Sequence, residues 1–393
     1  MTKKEETLEK VLSVDNKEII LELPTSYGKT KIGMEYCFKY NPETVLIVVP
    51  RIVLIQGWKD EFKKWNKEKY LSKVTFSTYA GLHKVQPYYD CIIFDEAHHI
   101  TERVLNILKE NVKSEYTIML SATLNRDKLH ALKHMFPKSY HLKIKIKEAI
   151  SDEVLPDPKV FLYRLNLPND SPTETIIKKR KGKDTITCLY RDRWKYLKNP
   201  KVSVIIKCTP KEKYLLISET IEFYKKKYMV CRNEAVKNKW LKLCGERLKW
   251  LSELKNDTIK KLLVNLKDER VLTFCSSIEQ TEILGKNCIN SKNKESLNIL
   301  TQFNEGKINH ITACNILNEG CNLYDCRIGL YANLNNSDTI IIQRTGRILR
   351  HKNPVIIIPY FIHTREAELV DKMIENYNPE LINIINNLNE VKL

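Results

Sequence analysis

The chain has 393 residues, with 66 Lys and Arg against 48 Asp and Glu, for a formal charge of +18. That length allows two or three domains, each with its own core, and the apolar and charged fractions are those of an ordinary soluble protein. No run of about 18 apolar residues appears and "MTKKEETLEK" lacks a signal-peptide core, so a cytosolic protein with no membrane contact is expected.

From about Lys17 to Leu132, short apolar runs alternate with helical patterns. The segments "EIILEL", "TVLIVV", "KVTFS", "CIIFD" and "TIML" read as strands. "IQGWKDEFKKW" reads as a helix whose Trp58, Phe62 and Trp65 form a core stripe. Such alternation predicts a parallel sheet covered on both faces.

The first strand leads into Pro24-Thr25-Ser26-Tyr27-Gly28-Lys29-Thr30, with a helical pattern after it. A loop that ends in Gly-Lys-Thr at a helix start aims backbone N–H groups and the positive helix end at a phosphate. Gly28 would permit close approach, Lys29 would reach the β- and γ-phosphates, and Thr30 would bind Mg²⁺. Leu23 stands where the strict phosphate-loop pattern has Gly, so a second motif has to support the reading.

That support comes from "CIIFDEAHHI", Cys91 to Ile100. A zinc site, an acid/base carboxylate pair and a nucleotide-bound magnesium all use residues of this kind. A zinc protease sets two histidines four apart around a Glu on a helix, which His98-His99 cannot do. Glycosidase carboxylates come from separate chain positions, because adjacent strand side chains diverge. A carboxylate at a strand's carboxyl end suits the magnesium water shell, and the adjacent Glu polarises the attacking water. Asp95 and Glu96 therefore point to ATP chemistry, while His99 reads as a helix-start or surface histidine.

In the middle, "LPDPK", "LPNDSPTE" and the basic run "KKRKGK" (178–183) read as loops, and the segment from "EKYLLISETIEF" to "KKLLVNL" as mainly helical. Residues 151–262 hold 27 Lys and Arg against 14 Asp and Glu, so 13 of the 18 surplus charges sit there. A basic concentration attracts polyanions; a lysine-rich solubilising surface is the plainer reading. Strand and helix alternation returns from about Val271 with "VLTFC", "HITAC", "IGLYA" and "PVIIIPYF". The expected division is 1–146, 147–262 and 263–393. The eleven cysteines lie mainly in apolar segments without any C-x-x-C pair, which fits reduced structural thiols. Cys314, Cys321 and Cys326 come nearest to a metal spacing, and no paired ligands follow them.

Taken in order, "LPTSYGKTK", "FDEAHH", "LSATL" and "IIQRTGRILRH" resemble motifs I, II, III and VI of superfamily 2 helicases and translocases of the DEAH-box-like type. "VVPRIVLIQGW", "FSTYAGLHK", "VLTFCSSIEQTEIL" and "ITACNILNEGCNL" are similar to motifs Ia, Ib, IV and V. The resemblance implies two RecA-like α/β domains in tandem, separated by a basic, mainly helical insertion. It implies ATP and Mg²⁺ as cofactors, with Pro24 to Thr30 around the phosphates, Thr30 and Asp95 on the metal and Glu96 as catalytic base. It further implies that His98 couples this site to Ser121-Ala122-Thr123, that Gly320 and Asn322 approach the nucleotide, and that Gln343 lines the cleft. Arg347 and Arg350 match the last two arginines of the family's Q-R-x-G-R-x-x-R and would act as arginine fingers. No glutamine motif is visible in the 23 residues before Pro24, so nucleotide base selectivity is expected to be loose.

By the same resemblance, nucleic-acid phosphates would cross Pro50, Arg51, Ser77, Thr78, Tyr79, Ser276, Ser277 and Thr312. Small hydroxyls and backbone amides there grip sugar-phosphate without reading bases. The layout of the insertion resembles DNA-directed members of the superfamily, such as phage branch-migrating helicases and restriction-enzyme or remodeller-type motors. DNA is therefore the expected track, with an RNA helicase or a non-unwinding ATP switch as alternatives.

Overall fold

The computed structural model describes residues 1–180, 184–314 and 323–391. Its first sheet comprises β1 (Glu18–Glu22), β2 (Val45–Val49), β3 (Val74–Thr78), β4 (Tyr88–Phe94), β5 (Lys113–Ser121) and β6 (Tyr140–Lys143). These run parallel in the order β3-β2-β4-β5-β1-β6. β2 reads "VLIVV" and is buried at every position, as a β-branched strand covered on both faces should be. Ile19, Leu21, Ile47 and Ile93 pack on one face with Ile32, Trp58 and Phe62. Ile20, Leu46, Val48 and Phe94 pack on the other with Val104 and Leu108. This two-sided core places the carboxyl ends of β1, β4 and β5 along one edge, with β5 between the other two.

The next strand, β7 (Lys159–Leu165), belongs to the second sheet although the sequence division put these residues in the middle region. The middle itself contains β8 (Glu174–Lys178), β9 (Thr185–Leu189) and β10 (Ser203–Cys208), three strands in a region expected to be mainly helical; only the ends of β8 touch the expected loops. They form a small mixed sheet, β8-β10-β9, over Val204, Ile206, Cys208 and Leu216. The expected helical part is the pair Pro210–Cys231 and Glu234–Glu253. The first starts at a Thr209/Glu212 capping box with Pro at its opening, and Asn233 caps the second.

The second sheet adds β11 (Val271–Phe274), β12 (Cys288–Ile289), β13 (His310–Ala313), β14 (Ile328–Tyr331), β15 (Val355–Phe361) and β16 (Ile382–Ile385). Its order is β12-β13-β11-β14-β15-β7-β16, and every pairing is parallel. A buried ion pair joins the end of the insertion to this unit: Lys255 Nζ lies 2.5 Å from Glu366 Oε1, with side chains 0% and 1% exposed. Lys255 also donates to Pro359 O, and Glu366 Oε2 accepts from Phe361 N, so both charges keep a second partner. The described cysteines are free thiols; Cys314 and Cys326 are buried, and Cys321 lies outside the described residues. Among the described residues no group of three His, Cys, Asp or Glu is placed to hold a metal, and no helix is long and apolar enough to cross a membrane.

Candidate active site

The loop after β1 turns sharply, with Ser26 at φ 73° and Gly28 at φ 108°. Gly28 is needed for that conformation, and nothing lies within 4 Å of where a Cβ would point, so the cradle over the helix Lys29–Lys39 is open. Lys29 is buried, with Nζ donating to Leu23 O at 3.1 Å. Tyr27 is also buried and shares a 2.8 Å hydrogen bond with Thr7 on the N-terminal helix Lys3–Ser13, which braces the loop from behind. Thr30 follows at the helix start, partly buried.

Asp95 lies just beyond β4. Its Oδ2 accepts from Trp58 Nε1 at 2.9 Å and its Oδ1 from Glu96 N at 3.0 Å. Burial foremost, then the negative charge of Glu96, raises the Asp95 carboxyl to about 6, against the pull of Trp58 and Lys29. A carboxylate so placed is ionised most easily beside a cation. Glu96 adopts the left-handed conformation at φ 50°, a cost of about 1 kcal/mol for a residue with a Cβ. This turn aims the side chain at His98, whose Nδ1 is 3.3 Å from Glu96 Oε2.

His98 Nδ1 also lies 3.2 Å from Ser121 Oγ, and the Ser121 hydroxyl donates to Thr123 O at 2.8 Å. With that proton so used, His98 Nδ1 is the donor toward Ser121. The Thr123 hydroxyl in turn meets the Thr339 hydroxyl on the helix Asp338–Ile348 of the second unit. A continuous polar path therefore runs from Glu96 to the facing domain.

The same helix closes on the phosphate loop. Ser26 Oγ donates to Gly346 O at 2.7 Å and accepts from Arg350 Nε at 3.1 Å. A Cβ on Gly346 would come within 2.4 Å of Thr25 Cβ, so glycine is what lets the two domains touch here. Gln343 is buried one turn before Gly346, and Arg347 is buried beside it. Thr25 Oγ1 and Gln343 Nε2 are buried without a hydrogen-bond partner, which leaves two polar groups suited to a polar ligand between the domains. Gly320 and Asn322 lie outside the described residues.

Family models match residues 2–126 with "Type III restriction enzyme, res subunit" and residues 254–352 with "Helicase conserved C-terminal domain". The chain is a superfamily 2 helicase or translocase. Membership implies ATP hydrolysis. The helicase is 23% identical over 357 residues to the DNA 3'-5' translocase XPB2 of Sulfurisphaera tokodaii, covering 85% of this chain and 75% of that one. Its fold matches the Hef helicase domain of Pyrococcus furiosus with a TM-score of 0.50, at 16% identity over 94% of this chain and 97% of that. It also matches S. cerevisiae Dbp5 bound to RNA and ADP BeF3, with a TM-score of 0.57 at 11% identity, covering 98% and 90% of the two chains.

The residues expected on the nucleic-acid track are placed unevenly. Arg51 is exposed, and Pro50, Ser77, Thr78 and Ser276 are partly so. Thr78 accepts from Gly81 N and Ser277 from Gln280 N, both as caps. Thr312 is only 3% exposed and its hydroxyl donates to Thr281 O, so that side chain supports the domain rather than facing outward. Tyr79 is likewise turned inward, its hydroxyl donating to Asp95 O at 2.7 Å. Two participants escaped the sequence reading: Trp58, indistinguishable in pattern from its core neighbours, and Thr339, which no local spacing marks.

Proposed function

We propose that this helicase is a DNA-directed motor, either unwinding or translocating on duplex, driven by ATP hydrolysis between its two RecA-like domains. The observation that carries the reading is the direct contact between the phosphate loop and Gly346 and Arg350, which brings both halves of the ATP machinery together. The loop amides and Lys29 would hold the β- and γ-phosphates, with Thr30 and Asp95 on Mg²⁺. Bound there, the metal neutralises phosphate charge. Glu96, oriented by its left-handed turn and by His98, accepts the proton of the attacking water. Arg347 and Arg350 stabilise the charge that develops on the transferring phosphoryl group, so turnover requires a closed cleft. The path from Glu96 through His98, Ser121 and Thr123 to Thr339 then relates the state of the site to the position of the second domain.

DNA is favoured as the track because the DNA translocase resembles this chain over most of its length and because the basic surplus sits in the insertion. Pro50, Arg51, Ser77, Thr78 and Ser276 would contact the sugar-phosphate backbone, with Lys178, Lys179, Arg180, Lys225, Lys226 and Lys227 adding nonspecific attraction. The test is steady-state ATP hydrolysis with no polymer, single-stranded DNA, duplex DNA, forked DNA and RNA, with Glu96→Gln as blank. Stimulation by a DNA class that disappears in Glu96→Gln supports the reading. Stimulation by RNA alone would replace it with an RNA helicase, and slow, polymer-independent turnover with an ATP switch.

A further inference from the structure

Two aromatic side chains from different segments converge on Asp95. Trp58, on the helix Leu54–Lys64, is 3% exposed and donates through Nε1 to Asp95 Oδ2 at 2.9 Å. Tyr79, directly after β3, is 9% exposed and donates through its hydroxyl to Asp95 O at 2.7 Å. One holds the carboxylate and the other the main chain. With Glu96 N on Oδ1, the plane of the carboxylate is set by a donor on each oxygen.

The positions of these donors give the arrangement its meaning. The helix bearing Trp58 begins three residues after the exposed Arg51, and Tyr79 directly follows Ser77 and Thr78. A largely buried indole N–H or phenol hydroxyl that loses its acceptor gives up a hydrogen bond that its surroundings replace poorly, so each donor favours moving with Asp95. A shift of either segment therefore pulls on the residue expected to hold the metal.

We propose that Trp58 and Tyr79 are positioning residues that link polymer contact at Arg51 and Ser77–Thr78 to the geometry of Asp95. The proposal rests on the reading of those two segments as nucleic-acid contacts. It differs from the route through His98 and Ser121, which leads to the second domain; this link lies wholly within the first.

Linkage makes the effect reciprocal: if nucleotide changes polymer affinity by some factor, polymer changes nucleotide affinity by the same factor, commonly about 5- to 150-fold. The test measures the Kd of a fluorescent duplex DNA by anisotropy with and without a non-hydrolysable ATP analogue and Mg²⁺. It then measures the Kd of the analogue with and without DNA. Wild type should give one factor, on the order of tenfold, from both directions. Trp58→Phe keeps an aromatic ring but removes the donor and should bring the factor below about twofold. Tyr79→Phe provides the same test from the main-chain side, and cooperative melting confirms that each variant is folded. A wild-type factor retained in both variants overturns the proposal while leaving the nucleic-acid reading intact. DNA affinity untouched by Arg51→Ala and Ser77→Ala instead removes the reading of the segments, and the proposal with it.

Discussion

In the cleft, Asp95 receives three donors, one on each carboxylate oxygen and one on its main-chain oxygen. In the helical pair of the insertion, Glu222, Glu234 and Glu246 each meet a lysine three or four residues away, at 3.8, 3.0 and 3.8 Å, on the exposed surface. Such exposed pairs are screened by water and contribute little, and their partners can exchange. The cleft therefore depends on individual atoms, whereas the insertion acts through the sum of its charge. Single substitutions should divide the two regions cleanly.

The largest effects belong in the cleft. Lys29→Ala and Glu96→Gln should each lower ATP turnover by roughly 10³-fold or more, measured as steady-state phosphate release. Arg347→Ala should cost about 10³-fold, the lower range for an arginine that stabilises the transferring phosphoryl group. Full activity in any of these variants would break the assignment.

Gly346→Ala offers a sharper test of closure, since it removes no functional group. Its methyl would have to displace Thr25 from 2.4 Å, so the domains must part where they now touch. We expect turnover to fall on the order of 10²-fold, as for misplacement of a catalytic group by about 1 Å, with the first unit's nucleotide affinity largely kept. Fluorescent-nucleotide titration beside the turnover assay separates the two.

The insertion should respond in proportion to charge. Replacing Lys178, Lys179 and Arg180 with Gln should leave polymer-free turnover near wild type. The slope of log affinity against log salt should become shallower by about one for each phosphate contact removed. An unchanged slope would make these cations a solvated surface.

The same contrast explains what could be read from the sequence. Central strands such as "TVLIVV" and "CIIFD" announce themselves because burial on both faces demands continuous apolar residues. The ordered motifs then mark Lys29, Asp95, Glu96 and Arg347 as candidates. β6 is half-exposed, β12 has two residues and β7 follows a proline-rich loop, so local pattern identifies none of them. The strands of the insertion's small sheet alternate less and more exposed residues over only five or six positions, beside "LPNDSPTE" and "KKRKGK", whose composition speaks for loops. Trp58 shows the limit within the site. Its spacing with Phe62 marks a buried face correctly, but the partner of its indole N–H lies just beyond β4, 37 residues away.

The smallest predicted effect tests whether the cleft keeps its carboxylates at a cost to stability. Burial, then Glu96, raises the Asp95 carboxyl from 3.8 to about 6, so between these values the folded chain holds a proton that the unfolded chain has released. Stability from this group is accordingly lost as pH rises through that window, the reverse of an ion-paired carboxylate. Glu96→Gln removes the nearby negative charge and lowers this cost. Its ligand-free Tm should exceed wild type above pH 6, by a margin corresponding to about 1 kcal/mol, and the margin should shrink as pH falls toward 4. A Tm difference independent of pH would mean that the mutual repulsion of the two carboxylates is not what opposes folding. A gain confined to neutral pH would show that the feature absent from the insertion, two adjacent and partly buried carboxylates suited to a cation, is retained against the stability of the first domain.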